Sequence, residues 1–356
     1  MKVYLGGGHE EYMFDIHSMY ARLKFEVCEP GIYGEHEGKR GFRLPSTTAE
    51  ENKHQERISS AVREYCTVVT SDHLACFSTS PSVHEYVMDY ARDDVEWFAS
   101  RSDFAHVLLG IHAAVFAPVM PTVWHFHGQQ HQGYSSAIQY ILGHSGRVVA
   151  YCQQEADLFP TFKLPVIHFG KDSDEWYGWR GDEDSVLYMA NSLAQRAEAC
   201  HLSVFEKSIL PSRWWLGGDN NQQFGSRARR FSFDELKEQM KRSRLFFNLG
   251  TVPACYTLSV VEAAMTGMPI ITTWYDHPEV CGLYAVPDLF GKGCIVLNSP
   301  SSKHMERLLS GGWLNRRKIM QMSMEARKVA VNRFSNHVID PQWDRFIRGW
   351  LCLKSA

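Results

Sequence analysis

One stretch, residues 245–279, LFFNLGTVPACYTLSVVEAAMTGMPIITTWYDHPE, constrains the fold of this chain more than any other. It opens on an apolar run, Leu245-Phe246-Phe247, short enough for a buried strand. A loop over 250–257 follows, broken by Gly250 and Pro253. Ser259-Val260-Val261-Glu262 has the spacing of a capping box, which predicts a helix starting at Ser259. Gly267 suits the stop of that helix, and Pro269 forbids its continuation. Ile270-Ile271-Thr272-Thr273 is β-branched and reads as the next strand. Strand, loop, helix and strand within about thirty residues form a βαβ unit of a parallel sheet.

That unit has a chemical consequence. In an open parallel sheet, ligands sit beyond the carboxyl ends of the strands. The loop over 252–258 is expected there, with helix N–H groups at Val260 to Glu262 aimed into the same space. An anion such as a pyrophosphate can bind such groups.

Residues 262–269, Glu262-Ala263-Ala264-Met265-Thr266-Gly267-Met268-Pro269, resemble the second half of the donor-site motif of the retaining GT-B glycosyltransferases of glycosyltransferase family four. The resemblance implies an α/β protein of two Rossmann-like domains facing a central cleft, with a C-terminal helix crossing back to the first domain. It implies that Glu262 holds the ribose hydroxyls of a nucleotide sugar. It also implies that the backbone of Tyr256, Thr257, Leu258 and Ser259 lies against the phosphates and sugar. The first half of the motif departs: the family's upstream glutamate falls at Ala254. Read from the capping motif alone, Glu262 is a carboxylate that only closes a capping box; the surrounding family pattern reverses that preference.

Other segments fit the same family pattern. Met1 to Leu5 reads as a first strand running into Gly6-Gly7-Gly8, and glycines allow close backbone approach to a ligand. Gly7 and Gly8 are therefore candidate donor-site residues. The strand over 121–128 ends in His127 and Gly128, and the family has a comparable histidine pointing towards the transferred sugar. By that resemblance His127 is a candidate catalytic residue beside Glu262. His125, His127 and His131 also admit a metal site, and a histidine hydrogen-bonded at a strand end is the plain structural alternative. Residues 185–190 read as a strand followed by Asn191 and, five residues on, Arg196. The family usually carries Arg and Lys there, on the donor pyrophosphate. Arg196 keeps the charge and adds a bidentate fork; Asn191 does not. A solvated surface arginine is the alternative for Arg196. Residues 214–220 form a strand ending in Gly217-Gly218, which adds Gly218 to the donor side. Arg227, Arg229 and Arg230 follow, a cluster open to phosphate, nucleic acid or water.

The remainder is organised around these segments. Residues 30–56 read as a long mobile loop, 65–70 and 75–77 as strands, and 83–98 as a helix. Helices are expected over 233–244, 302–309 and 315–334. Trp343, Phe346 and Trp350 share one helical face. Domains are expected over 1–169 (acceptor side), 170–337 (nucleotide sugar) and 338–356 (a helix packing on the first). Residues 1–170 carry 13 basic against 20 acidic residues and the rest 24 against 20, so the halves differ in character. The acidic first half is a poor surface for nucleic acid. Nine scattered cysteines with no Cys-x-x-Cys pair read as reduced thiols. With no apolar run of spanning length and no signal peptide, a cytoplasmic protein without an integral membrane segment is expected.

The function expected is transfer of a hexose from a nucleotide sugar, UDP-glucose or similar, to an acceptor hydroxyl with retention of configuration. The donor is a co-substrate, and no metal or other cofactor is expected. The acceptor is open between a glycan and hydroxymethylated DNA, the latter as in phage-type DNA glucosyltransferases. A sugar-nucleotide epimerase and a non-catalytic binding module are the remaining alternatives.

Overall fold

A computed structural model describes residues 1–6, 10–28, 49–68, 81–126, 134–252, 254–273, 285–297, 300–310 and 315–352. The chain divides into two compact units, Met1–Phe169 with Asp340–Ala356, and Gly170–Ile339. The first contains β1 (Lys2–Gly6), α1 (Glu10–Arg22), β2 (Glu26–Cys28), α2 (Ala49–Val68), α3 (Pro81–Arg101) and β3 (Phe104–Val107). It continues with α4 (Gly110–Phe116), β4 (Thr122–Phe126), α5 (Tyr134–Gly143), β5 (Gly146–Ala150) and α6 (Gln153–Asp157). The second begins with β6 (Glu183–Met189), α7 (Leu202–Val204), β7 (Trp214–Gly217), β8 (Ala228–Arg229), α8 (Phe233–Arg242) and β9 (Ser243–Asn248). It ends with α9 (Leu258–Thr266), β10 (Ile270–Thr272), α10 (Val286–Phe290), β11 (Cys294–Val296), α11 (Ser302–Leu309) and α12 (Arg316–Phe334). Helix α13 (Asn336–Cys352) starts in the second unit, and from Asp340 onward it groups with the first.

The first unit is a parallel sheet of order β2-β1-β3-β4-β5. Its central strands β3 and β4 are short and buried on both faces, as parallel sheets covered by helices require. Two expectations fail here. The loop expected over 30–56 gives way to α2 from Ala49, while 30–48 lie outside the described residues. Residues 65–68 of the expected strand over 65–70 are the last turn of α2. Ile58, Ala61, Val62 and Tyr65 are buried at helical spacing, and that periodicity overrides the β-branched run at the end of the segment. The expected strand over 75–77 lies outside the described residues.

One face of this sheet buries two histidines under α13. His106 Nδ1 meets Tyr20 Oη at 2.7 Å, and His125 Nε2 meets the Ile167 carbonyl at 3.0 Å. The Trp343 ring lies 4.8 Å from the first imidazole and 4.9 Å from the second. Burial pulls the His106 imidazole down to about 3 and that of His112, on α4, to about 4, so both are neutral near pH 7. His125 is thus a side chain of the interior, fully buried, with its ring centroid 4.3 Å from that of Phe169.

The second unit is a parallel sheet of order β11-β10-β9-β6-β7-β8. The βαβ unit read from the sequence is β9-α9-β10, with Ile270 opposite Phe246 and Ile271 opposite Phe247. Strand order changes direction between β6 and β9. That is the topological switch point, where ligands of open α/β sheets bind. The short β8 lies within the arginine cluster and contains Arg229.

The start of α9 differs from the expectation. Its N-cap is Thr257, in extended conformation, so Ser259 is the second residue of the helix rather than its cap. The Ser259–Glu262 pair therefore lies inside the helix, where it cannot form a capping box. Thr257 makes no side-chain capping bond; its hydroxyl pairs with that of Ser259 at 2.9 Å. The helix ends as expected at Gly267, whose φ of +94° suits a residue without a Cβ. No helix among the described residues is long and apolar enough to cross a membrane.

Candidate functional site

The switch point of the second sheet collects most of the residues singled out on the donor side. Strand β6 leads into Asn191, β7 into Gly218, and β9 into the loop that ends at α9. The β6 and β7 loops are knitted together. Asn191 Oδ1 accepts from the Asp219 amide at 3.0 Å, and the Ser192 amide donates to the Asp219 carbonyl at 2.7 Å. Buried Asn221 braces both, accepting from the Leu193 amide at 2.9 Å and donating to the Ala190 carbonyl at 2.6 Å. Gly218 is required where the loops meet. Its φ is +134°, and a Cβ there would lie 2.1 Å from the Ala190 carbonyl oxygen. Asn191 thus serves the loop with its carboxamide oxygen, a task that an arginine could not perform because it carries no acceptor.

The β9–α9 loop is tied to the segment that carries Arg196. The Val252 amide donates to the Ala199 carbonyl at 2.8 Å. Burial pushes the Cys200 thiol up, opposed by the nearby Arg196 guanidinium and a hydrogen bond with Thr251. Arg196 is half-buried, and among the described residues no ion pair engages its side chain. Tyr256 is buried against Phe334, with ring centroids 5.6 Å apart, and this fixes the backbone leading into α9. Thr257, Leu258 and Ser259 then form the uncapped first turn, whose amides have no intrahelical acceptor.

Glu262 lies one turn further along α9. It is 5% exposed, and its Oε1 is 2.6 Å from Lys171 Nζ, itself on a residue 2% exposed. Its main-chain carbonyl accepts from Thr266 Oγ1 at 2.8 Å. The capping role considered for Glu262 is therefore replaced by a buried ion pair. Sequence reasoning missed Lys171, which has no local signal because its partner is 91 residues away. It also missed Asn221 and Arg327. The Arg327 guanidinium holds the carbonyls of Trp176 at 2.7 Å, Ser173 at 3.1 Å and Met265. Gly7, Gly8, His127 and His131 lie outside the described residues.

The arginine cluster is partly spoken for. Arg229 pairs with Glu235 at 3.5 Å and packs over Phe231, and Arg230 pairs with Asp219 at 3.4 Å. Arg227 is exposed.

No family model matches the chain, and no curated protein matches it in sequence. Solved structures do match over nearly the whole length. HepE of Anabaena in complex with UDP-glucose is 14% identical with a TM-score of 0.63, covering 98% of this chain and 100% of its own. Sucrose-phosphate synthase of Thermosynechococcus elongatus is 11% identical with a TM-score of 0.62, covering 99% and 100%. An alpha-glucosyltransferase in complex with UDP-glucose and DNA containing an abasic site is 8% identical with a TM-score of 0.58, covering 98% and 99%. The fold is GT-B. In this GT-B chain the second sheet presents Asn191, Gly218 and the first turn of α9 at one edge, the carboxyl end of its strands.

Proposed function

We propose that this GT-B chain is a glycosyltransferase that moves a hexose from a nucleotide sugar, UDP-glucose in the first instance, to an acceptor hydroxyl. The observation that carries this reading is the uncapped start of α9 at the switch point of the second sheet, with buried Glu262 one turn behind it. HepE and the alpha-glucosyltransferase are solved with UDP-glucose, which supports the choice of donor.

In this reading the donor diphosphate sits on the first-turn amides of α9, and Arg196 supplies the compensating charge. Glu262 accepts hydrogen bonds from the ribose hydroxyls. The bond from the sugar's anomeric carbon to the phosphate oxygen breaks, and the nucleoside diphosphate leaves with the electron pair. The acceptor oxygen bonds to the same carbon, and its proton passes to the departing phosphate or to water. Groups aimed at the leaving diphosphate stabilise the charge that develops there. Retention of configuration follows from the family resemblance, and His127 is the candidate to face the sugar.

The test is a thermal-shift and hydrolysis screen of UDP-, GDP-, ADP- and CMP-sugars against wild type and Glu262→Gln. One donor class should stabilise the wild type, and the variant should lose most of that shift. No stabilisation by any donor would end the transferase reading. Hydroxymethylated DNA and oligosaccharides are then offered as acceptors to the selected donor. The pairing of Arg229 and Arg230 with carboxylates weighs against DNA. Release of free nucleotide with an altered sugar and no transfer would mark an epimerase.

A further inference from the structure

We propose that Lys171 is a positioning residue for donor recognition: it fixes the Glu262 carboxylate, and thereby sets how strongly the site distinguishes ribose from deoxyribose. The proposal rests on the nucleotide-sugar reading above.

Lys171 is held at its root as well as at its tip. Its amide donates to the Phe334 carbonyl at 2.7 Å, and its own carbonyl accepts from the Asn336 amide at 2.9 Å. The backbone that carries the side chain is thus pinned to the end of α12. Nζ lies 5.9 Å from the Trp176 ring centroid and 2.6 Å from Glu262 Oε1. A lysine side chain ordinarily keeps several rotamers; burial at 2% exposure with both ends engaged leaves one.

The effect on Glu262 is geometric. An ionised carboxylate has about four lone-pair directions, so a bond to Nζ leaves others for ligand hydroxyls. A carboxylate already held in one orientation loses little further freedom when a ribose hydroxyl binds. Removing the hydroxyl leaves the lone-pair directions that Nζ does not fill without a donor, on a carboxylate that cannot turn to find another. Sites built to bond a hydroxyl reject analogues that lack it for this reason. Without Lys171 the carboxylate can turn away or recruit water, and the distinction weakens.

A purely structural ion pair predicts something else. Loss of Lys171 would then lower the melting temperature and weaken all nucleotides alike. The deciding quantity is therefore the ratio of dissociation constants for 2′-deoxy-UDP and UDP, measured by calorimetric titration of the full chain. In wild type the ratio should be about tenfold or more, the value of a hydrogen bond to a charged group. In Lys171→Met it should fall below about threefold, and Lys171→Gln, which keeps one donor towards the carboxylate, should fall between. If Lys171→Met fails to fold, Lys171→Gln decides. A wild-type ratio retained in a folded variant overturns the role of Lys171 and leaves the donor site standing. A wild type that binds both equally overturns the reading of Glu262 on which the proposal rests, and one that binds neither overturns the UDP-sugar reading itself.

Discussion

Two helices of the second unit begin with the same four-residue spacing and use it differently. At α8, Ser232 is the N-cap and Glu235 the third helical residue. Ser232 Oγ accepts from the Glu235 amide at 3.3 Å, and the Ser232 amide donates to Glu235 Oε2 at 2.8 Å. The box is closed, and the turn is satisfied by its own side chains. At α9, Ser259 and Glu262 have the same separation, but the helix starts one residue before the serine. Glu262 then faces Lys171, and the first turn carries no side-chain cap. One helix start is sealed and exposed; the other is open and lies at the switch point of the sheet.

The sharpest way to break this contrast is to truncate the two glutamates in turn. Glu262→Ala strands the Lys171 ammonium in the interior, which costs about 3–5 kcal/mol of stability. Glu235→Ala removes one arm of an exposed box and costs about 1 kcal/mol. Chemical denaturation of both variants checks the difference. Equal losses would mean that the buried pair is no more than a second cap.

The next effect is on binding rather than stability. Arg196 bonds no side-chain partner among the described residues, so Arg196→Gln should leave the melting temperature within about 1 °C, as for a surface change. It should weaken the selected nucleotide sugar by about tenfold, the value of one charge-assisted bond to phosphate. The converse result, lost stability with unchanged affinity, would assign Arg196 to the fold.

The serines sharpen the comparison further. Ser232→Ala should cost about 1 kcal/mol and Ser259→Ala no more than about 0.5 kcal/mol, because only the first removes a helix cap. Denaturant midpoints of the two variants against wild type measure both.

How much of this was legible in the sequence differs between strands and site. The β9-α9-β10 unit was readable because an apolar triplet, a glycine stop, a proline and a β-branched run all agree locally. The end of α2 was misread because Thr67 to Thr70 carry strand propensity, while the deciding pattern is the burial of Ile58, Ala61, Val62 and Tyr65 upstream. The capping motif was real as a spacing, yet spacing does not fix which residue becomes the cap. That depends on where Thr257 turns extended, and the loop anchored by Tyr256 decides it. Lys171 and Asn221 were invisible because each acts on partners distant in the chain, which only the folded sheet brings near.

The smallest effect tests the closed box through pH. Its backbone hydrogen bond from Ser232 pulls the Glu235 carboxyl below the usual 4.5, with the Ser232 hydroxyl and Arg229 acting in the same direction. A group whose pKa is lowered on folding contributes stability above its unfolded pKa. That contribution is lost as pH falls through the folded value. The stability difference between wild type and Glu235→Gln should therefore be constant above about pH 5 and shrink below about pH 4. Two buried histidines act in the same acid direction over a wider window. His106 and His112 are held neutral at about 3 and about 4, so the unfolded chain takes up their protons from about pH 6.5 downward. Because both proteins carry them, that background cancels in the difference. A difference that stays flat down to pH 3.5 would show that Glu235 does not close the box as a carboxylate. The contrast between the two helix starts would then reduce to the buried pair alone.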